Sequence, residues 1–241
     1  MRILPVTDID IRRVGGSWPL SAEQRAAVGA YWREALVANP HLWDGRILGL
    51  TAPGGGAPTV RGGIFRAEAR EDAYSAFMLW RHQGFPDIGM CHAFGWALIA
   101  GSDGAIIYGV MGGHTANAGR VYPPGGSLEP RDVQPDGRVD VRRAIQLELE
   151  EETGLRPESA HAGAMVVVTD GPRLSFGRIF RFPEVADDLA RRIRVNLDRQ
   201  EHRELADVVV IRSGAEARAA GAVPYAIAVA EAYFARTIFA D

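Results

Sequence analysis

The sequence predicts a layered α/β or α+β domain over residues 89–241, preceded by a small α+β domain over residues 1–88. From Met90 onward, runs typical of strands alternate with runs typical of helices, and mixed strands with helices between and after them pack as layers. The 241 residues are 47% hydrophobic, which is enough to bury a full core. These observations indicate a globular protein with one medium and one small domain.

The first clear element of the small domain is a helix over residues 21–38. Ser21 and Gln24 form a capping-box pattern at its start, and Asn39 followed by Pro40 stops the run. Glycine and proline punctuate the chain after this helix. The next elements predicted are strands over 46–50 and 60–67 and a helix over 73–80.

The larger domain contains one element with unusually clear ends, a helix over residues 141–153. Asp140 is a good N-cap, Gly154 a good C-terminal stop, and a long polar loop of the kind that is often functional precedes the helix. Around it, the sequence predicts strands over 93–100, 105–110, 120–122, 165–168, 176–182 and 206–211, and helices over 185–197 and 224–239.

Composition excludes several classes of function. A net charge of −3 without a concentrated basic stretch argues against binding to nucleic acid. All 27 basic residues are arginines, which excludes Schiff-base chemistry and a P-loop lysine. The single cysteine, Cys91, excludes an internal disulfide, and no apolar run is long enough for a membrane span. We therefore expect a soluble cytoplasmic protein with a small-molecule partner, and a homodimer stays open.

The end of the helix over 141–153 carries charges that oppose the helix dipole. Four glutamates crowd its last turns, where each carboxylate is disfavoured by about 0.3–1 kcal/mol. At about 100° per residue, Glu148, Glu151 and Glu152 fall within one arc of about 100°, whereas Glu150 points to the opposite side. Three carboxylates on one side suit a hard cation such as Mg²⁺ or Mn²⁺, which would also offset their repulsion. A solvated acidic face is the alternative.

The surrounding residues resemble the Nudix box, G-x5-E-x7-R-E-U-x-E-E-x-G-U, in which U is a bulky apolar residue. Gly126 matches the opening glycine, and Asp132 stands where the family has its first glutamate. The second half matches at Glu148, Leu149, Glu151, Glu152, Gly154 and Leu155. The resemblance implies an α/β/α sandwich with a mixed sheet over residues 89–241. It also implies a catalytic and metal-binding role for Glu148, Glu151 and Glu152.

Three departures from the box are expected to affect the site. The spacing from Asp132 to the position before Glu148 is seven residues longer than in the family, which indicates an insertion before the helix. Asp132 is shorter than glutamate, although it stays a candidate metal ligand. Leu147 replaces the arginine that usually orients the neighbouring glutamate, and Arg143 is a candidate substitute.

Other polar residues are candidates for the substrate and metal sites. The resemblance places a late loop acid near the metal, and Glu201 is the candidate, with Glu204 more easily explained as a solvated residue. Arg120 and Asn117 lie in a glycine-rich loop that leads into the strand before the box. With Gly125 and Gly126 they form the predicted substrate-binding set, whereas His114 is more easily explained as an ordinary loop histidine.

The segment over residues 39–46 contains Trp43 and is weakly similar to two-domain Nudix enzymes that act on nucleoside diphosphate sugars. A turn with a core tryptophan is the preferred interpretation of this segment.

The resemblance implies a metal-dependent hydrolase that cleaves the diphosphate bridge of a nucleoside diphosphate linked to another group, such as a sugar. Two alternatives stay open. A Nudix domain that binds a nucleotide without cleaving it would explain Leu147, and a housecleaning pyrophosphatase for nucleoside triphosphates would share the same box.

Overall fold

The computed structural model describes residues 1–239, and along these residues the chain forms twelve strands and six α-helices. The strands are β1 Arg2–Val6, β2 Asp8–Arg13, β3 Arg46–Thr51, β4 Val60–Arg61, β5 Ile64–Ala73, β6 Cys91–Ala100, β7 Ile106–Met111, β8 Val121–Tyr122, β9 Gly125–Ser127, β10 His161–Asp170, β11 Arg173–Arg181 and β12 Leu205–Ile211. The helices are α1 Ala22–Ala38, α2 Tyr74–His82, α3 Val141–Thr153, α4 Ala186–Leu197, α5 Gly214–Ala219 and α6 Pro224–Phe234.

The described strands join in one mixed sheet with β6 near its middle. The main path runs β1-β10-β11-β6-β3-β5-β2, with the remaining strands branching from it. β11 runs parallel to β6, and β7 and β9 pair with β6 in the antiparallel sense. The sheet is therefore mixed, as predicted.

Helices cover both faces of the central strand because its side chains alternate between two cores. Ala97 and Ile99 of β6 belong to a core that also contains residues of α3 and α4. Trp96 and Leu98 belong to a second core, which contains residues of α5 and α6. This arrangement of helices, sheet and helices confirms the predicted α/β class and the sandwich of layers.

The N-terminal segment is part of the same sheet. β1 pairs with β10 along its whole length, and β3 pairs with β6 through Gly49 opposite His92 and Leu50 opposite Cys91. A third core, formed by Trp18, Ile47, Phe77, Trp80 and Met90, lies beside α2. The domain boundary near residue 88 stays a prediction, since both the sheet and the largest core extend across it.

The predicted insertion before α3 forms a small turn that attaches to β2. Gln134 N–H donates to Arg138 O at 2.7 Å, which closes the turn. Val139 N–H donates to Ile11 O, and Arg13 N–H donates to Gly137 O, both at 2.9 Å. The extra residues thus leave α3 intact and connect its preceding loop to the N-terminal part of the chain.

Most predicted elements are found within a few residues of their expected ends, and two differences are informative. The last helix ends at Phe234 rather than Phe239, because Arg236 adopts a left-handed backbone with φ of 56°. β1 and β2 were not predicted from the sequence. No helix in the described part of the chain combines the length and apolar character that a membrane crossing requires.

Candidate active site

A cavity of about 430 Å³ opens beside the acidic end of α3. Glu148 and Glu151 contribute carboxylates to its wall, and β9 contributes the backbone of Gly125 and Gly126. The rest of the lining includes Trp43 and residues of the glycine-rich loop after β7. The cavity therefore joins the predicted catalytic glutamates to residues from the N-terminal part of the chain.

The ends of α3 follow from local chemistry and fix the phase of its glutamates. The Asp140 side chain accepts a hydrogen bond from Arg143 N–H at 3.0 Å, and Gly154 ends the helix in a left-handed conformation with φ of 70°. Glu150 is exposed and does not line the cavity, whereas Glu148 and Glu151 do. The structure thus agrees with the predicted helical phase.

Glu152 lies beneath the cavity wall and is 4% exposed. Its Oε2 accepts a hydrogen bond from Gly125 N–H at 3.0 Å, while its Oε1 is buried without a hydrogen-bond partner. Burial raises the pKa of Glu152 well above the usual value, and the nearby Glu148 raises it further. An unpartnered buried carboxylate oxygen is costly and points to a missing cation or proton.

Gly126 allows the backbone of β9 to approach Glu148 closely. A Cβ at this position would lie 2.7 Å from the Glu148 carboxyl carbon, so a side chain here would displace the carboxylate. Burial raises the pKa of Glu148 to about 8, although the Arg131 charge lowers it in part. The box glycine and the box glutamate are therefore packed against each other, as a site built around this carboxylate requires.

Arg131 is the cation that the structure places among these acids. Its guanidinium donates to Glu148 Oε1 at 2.9 Å and to Glu151 Oε1 at 2.9 Å, and its Nε lies 3.2 Å from Glu129 Oε2. The surrounding carboxylates raise the pKa of Arg131 against the opposing effect of burial. One loop arginine thus offsets part of the repulsion between three glutamates.

The arginine that contacts Glu148 is Arg131, and the suggestion of Arg143 for this role was wrong. Arg143 is exposed and its Nη1 donates to Arg131 O at 3.1 Å, so it supports the loop rather than the carboxylate. Leu147 is half-buried and has no polar group to offer Glu148. Arg131, from the loop before α3, thus supplies the hydrogen-bond donor to Glu148 that Leu147 lacks.

Asp132 lies outside the cavity lining, and its side chain stabilises the turn in which it lies. Its Oδ2 accepts a hydrogen bond from Glu129 N–H at 2.8 Å, which closes the 3₁₀ turn Pro130–Asp132. Burial raises its pKa, and its Oδ1 has no hydrogen-bond partner. The carboxylate predicted as a metal ligand is thus turned toward the loop, because a carboxylate three residues after Glu129 can accept the free N–H at the start of the turn.

The loop after α4 brings Glu204 to the cavity instead of Glu201. Glu204 lines the wall, and its charge helps to raise the pKa of both Glu148 and Glu152. Glu201 is exposed and does not belong to the lining. Glu201, the candidate named from the sequence, thus lies outside the cavity, and Glu204, explained from the sequence as a solvated residue, lines it.

The predicted substrate-binding residues do line the cavity. Arg120 and Asn117 both belong to the wall. Asn117 Nδ2 donates to the Tyr122 hydroxyl at 3.2 Å, and its Oδ1 accepts from Arg81 Nη1 at 3.2 Å. His114, explained from the sequence as an ordinary loop residue, also lines the wall. The cavity lining therefore contains positive charge and an amide group as well as the glutamates.

A neutral histidine closes part of the cavity floor. His92 is stacked on Phe77 with ring centroids 4.1 Å apart, and its Nε2 lies 2.9 Å from Ser127 Oγ. Burial, together with the Arg81 and Arg173 charges, lowers the pKa of His92 to about 3. This side chain contributes a hydrogen-bonding group without adding charge.

Trp43 is not a core residue, so the preferred interpretation of its segment was wrong. The side chain is 70% exposed and lies at the cavity wall. Three other tryptophans, Trp18, Trp80 and Trp96, fill the cores. The segment over residues 39–46 is therefore a loop that presents an aromatic ring.

The acidic end of the cavity offers oxygen ligands of the kind that Mg²⁺ and Mn²⁺ prefer. The unpartnered Oε1 of Glu152 and the clustered glutamates fit such a cation in chemistry. In the conformation described for residues 1–239, no three acidic, histidine or cysteine side chains are grouped closely enough to hold a metal ion. A cation at this position would share Glu148 and Glu151 with Arg131.

Three residues that line the cavity, Arg131, Glu129 and Trp43, were not predicted from the sequence to belong to the site. The available signal for Arg131 was its position beside Asp132, in the loop that the box resemblance assigns to the site. For Trp43 the signal was a tryptophan between a polar turn and a glycine, which does not distinguish an exposed ring from a buried one.

No protein-family model and no curated protein matches the chain. Among solved structures, it is similar to the Nudix hydrolase RenU from M. smegmatis, with 15% identity, a TM-score of 0.41, and coverage of 61% of this chain and 83% of that one. A Nudix hydrolase from Nitrosomonas europaea has 18% identity and a TM-score of 0.41, covering 61% of this chain and 90% of that one.

The Nudix domain of Shewanella oneidensis NrtR, in complex with ADP ribose, has 12% identity and a TM-score of 0.40, with coverage of 64% and 92% of the two chains. The structures named belong to the family that the residue pattern resembles. Their likeness to this chain is remote and identifies no substrate.

Proposed function

We propose that this chain is a Nudix hydrolase that cleaves the diphosphate bridge of a nucleoside diphosphate linked to another group, with Mg²⁺ or Mn²⁺ as its cofactor. The observation that carries the proposal is the packing of Gly126 against Glu148 at the acidic end of α3. These two residues come from opposite halves of the box pattern, and they meet at the wall of a substrate-sized cavity.

Glu148, Glu151 and Glu152 would hold the metal ion, which when bound supplies neutralisation of the diphosphate charge and activation of water. Glu148 is fixed in place by the close backbone of Gly126 and by Arg131. Glu152 is fixed by the Gly125 N–H. Buried and oriented carboxylates need little rearrangement during the reaction, which is the basis of electrostatic catalysis.

Glu204 is the acid best placed to accept a proton from the attacking water. It lines the cavity from the opposite loop and interacts electrostatically with Glu148 and Glu152. A general base must reach the reacting proton, and Glu204 meets this requirement better than Glu201, which lies outside the cavity lining.

Arg120 and Arg81 would bind the phosphate groups of the substrate. Both line the cavity, and arginine pairs with phosphate in a two-pronged geometry. Asn117 connects the two sides of this wall through its contacts with Arg81 and Tyr122. We infer that the diphosphate lies between these cations and the glutamates.

A non-catalytic nucleotide-binding domain is the second candidate function, because Leu147 cannot orient Glu148. The contact between Arg131 and Glu148 favours the enzyme, since it supplies from the loop the donor that position 147 lacks.

The test is hydrolysis of a panel of nucleoside diphosphate sugars, ADP-ribose, dinucleoside polyphosphates and nucleoside triphosphates, followed by phosphate release after phosphatase treatment. We expect turnover with Mg²⁺ or Mn²⁺, none in excess chelator, and recovery when the metal is restored. Tight nucleotide binding without turnover of any panel member would support the binding domain instead. Full turnover in chelator would rule out the metal-dependent mechanism.

A further inference from the structure

We propose that Trp43 is a stacking platform for the base of the substrate. This inference deepens the proposed function and rests on it, because it assigns the part of the cavity that holds the non-phosphate end of a nucleotide. It predicts that the N-terminal part of the chain contributes directly to substrate recognition.

The first supporting observation is the exposure of the ring. Trp43 is 70% exposed although it lines a cavity, whereas other large aromatic side chains such as Trp80 and Phe176 are almost fully buried. An indole ring gains much free energy from burial, so a ring left open at a cavity wall is available for a ligand to cover.

The second observation is that the loop around the exposed ring is held in place by hydrogen bonds. Asn39 Nδ2 donates to His114 O at 2.8 Å, which ties the loop to the glycine-rich loop after β7. Asp44 Oδ1 accepts from Ser75 N–H at 2.7 Å, and Gly45 O accepts from Tyr74 N–H at 2.8 Å. A platform fixed on both sides loses little conformational freedom when a ligand stacks on it.

The third observation concerns the position of the ring itself. A Cβ on Gly45 would lie 1.8 Å from the Trp43 ring, so the indole packs directly over the Gly45 backbone. One side of the ring is supported by the chain, which helps to fix its orientation. Glycine at position 45 is required by this close approach.

The neighbours of Trp43 indicate a planar ligand with polar edges. The rings of His41 and His114 meet at right angles with centroids 6.1 Å apart, and both belong to the same wall. Imidazole groups can exchange hydrogen bonds with the edge of a base. Arg120 lies on the same wall and can bind the phosphate that follows the base and sugar. A nucleobase can use all three features, whereas an aliphatic chain would use neither the imidazoles nor Arg120.

The experiment measures binding of ADP, GDP, UDP and inorganic pyrophosphate to the full chain by calorimetry in Mg²⁺. For the tightest nucleotide, we expect Trp43→Ala to weaken binding by about 10-fold or more, the scale of one stacked base, and Trp43→Phe to retain most of the affinity. Pyrophosphate has no ring, so its affinity should be the same in all three proteins. Val37→Ala is the matched control, because Val37 is another exposed apolar residue of the N-terminal part. This substitution should change the affinity of neither the nucleotide nor pyrophosphate.

Three outcomes would overturn the proposal: unchanged nucleotide affinity in Trp43→Ala, an equal loss for nucleotide and pyrophosphate, or no binding of any of the three nucleotides to the wild type. Thermal melts of each variant establish that the fold is intact. Failure of the platform would leave metal-dependent hydrolysis of the substrate panel in place. Failure of the proposed function would instead appear as absent hydrolysis while the Trp43 dependence of nucleotide binding persists.

Discussion

The two ends of the cavity are built in different ways. At the acidic end, Glu148 and Glu152 are buried against the backbone of β9, and their charges repel each other. At the aromatic end, Trp43 stands exposed on a loop held by backbone hydrogen bonds. In the first region a bound cation would reduce the repulsion between carboxylates. In the second region a ligand can cover an exposed aromatic ring. We therefore expect changes at the acidic end to act on stability and kcat, and changes at the aromatic end to act on binding.

The stability of the metal-free protein should depend on pH through the acidic end. The pKa of Glu148 rises from 4.5 in the unfolded chain to about 8 in the folded one. Its contribution to stability is thus fully present below pH 4.5 and is lost as the pH rises to about 8. The loss is at most about 5 kcal/mol, since each pH unit in this window corresponds to about 1.4 kcal/mol.

Urea unfolding in chelator, measured between pH 4.5 and 9 for wild type and Glu148→Gln, checks this expectation. The wild type should lose stability relative to the variant as the pH rises, and the comparison cancels the effects of other groups such as His92. If the stabilities of wild type and Glu148→Gln changed in parallel with pH, burial would not disfavour the charged form of Glu148.

Removing the charge of Glu152 should lower kcat by at least about 100-fold, the scale of losing one preorganised catalytic group. Glutamine can still accept the Gly125 hydrogen bond, so Glu152→Gln should fold normally. Glu150→Gln is the matched control, because Glu150 is exposed on the same helix and lies outside the cavity lining. Steady-state kinetics on the best panel substrate would contradict the assignment if both variants lost activity equally.

Arg131→Met should destabilise the metal-free protein by about 1–2 kcal/mol, a modest figure because the Arg131 side chain is 41% exposed. Without the guanidinium, Glu148 and Glu151 lose their shared partner. In saturating Mn²⁺ the same substitution should cost less, since the metal would supply the missing charge. Thermal unfolding with and without Mn²⁺ measures this difference.

Arg143→Met is the control for that experiment, since the Arg143 side chain donates to the Arg131 carbonyl and not to Glu148 or Glu151. The change in stability that Arg143→Met causes should be the same with and without Mn²⁺. A larger effect of Arg131→Met in the metal-bound protein than in the metal-free one would show that the arginine supports Glu148 after metal binding as well.

The smallest effect is expected for Leu147→Arg, which restores the family's box residue. Glu148 Oε1 already accepts a hydrogen bond from Arg131, so a second arginine should change kcat/KM by less than about threefold. Because Leu147 is half-buried, the substitution is also expected to lower stability slightly. A gain of tenfold or more in a well-folded variant would show that Arg131 does not replace the box arginine.

The parts of the site that local chemistry determines were predictable from the sequence. Helix α3 begins and ends where Asp140 and Gly154 predicted, and the phase of Glu148, Glu151 and Glu150 follows from the helical repeat. The α/β class was predictable for the same reason, since the alternation of strand and helix segments and the helix-capping residues are local features of the sequence.

The parts that depend on contacts distant in sequence were not predictable. β1 pairs with β10, so its formation depends on a partner more than 150 residues away. The contact between Arg131 and Glu148 depends on how the insertion folds, and the position of the loop that carries Trp43 depends on hydrogen bonds to Ser75 and His114. Asp132 matched the box in position, but its side chain direction is set by the turn that it caps.

The attachment of the insertion to β2 has a consequence for truncated forms of this protein. A chain beginning at residue 89 would lack the carbonyl of Ile11 that accepts from Val139, so the segment carrying Arg131 would lose an anchor. It would also uncover the edges of β6 and β10, which β3 and β1 now protect, and open strand edges promote self-association. We expect such a fragment to aggregate and, where monomeric, to be cut by proteases near residues 129–139. We therefore expect the leading 88 residues to hold the Arg131 loop in place and to keep these strand edges from associating with other chains.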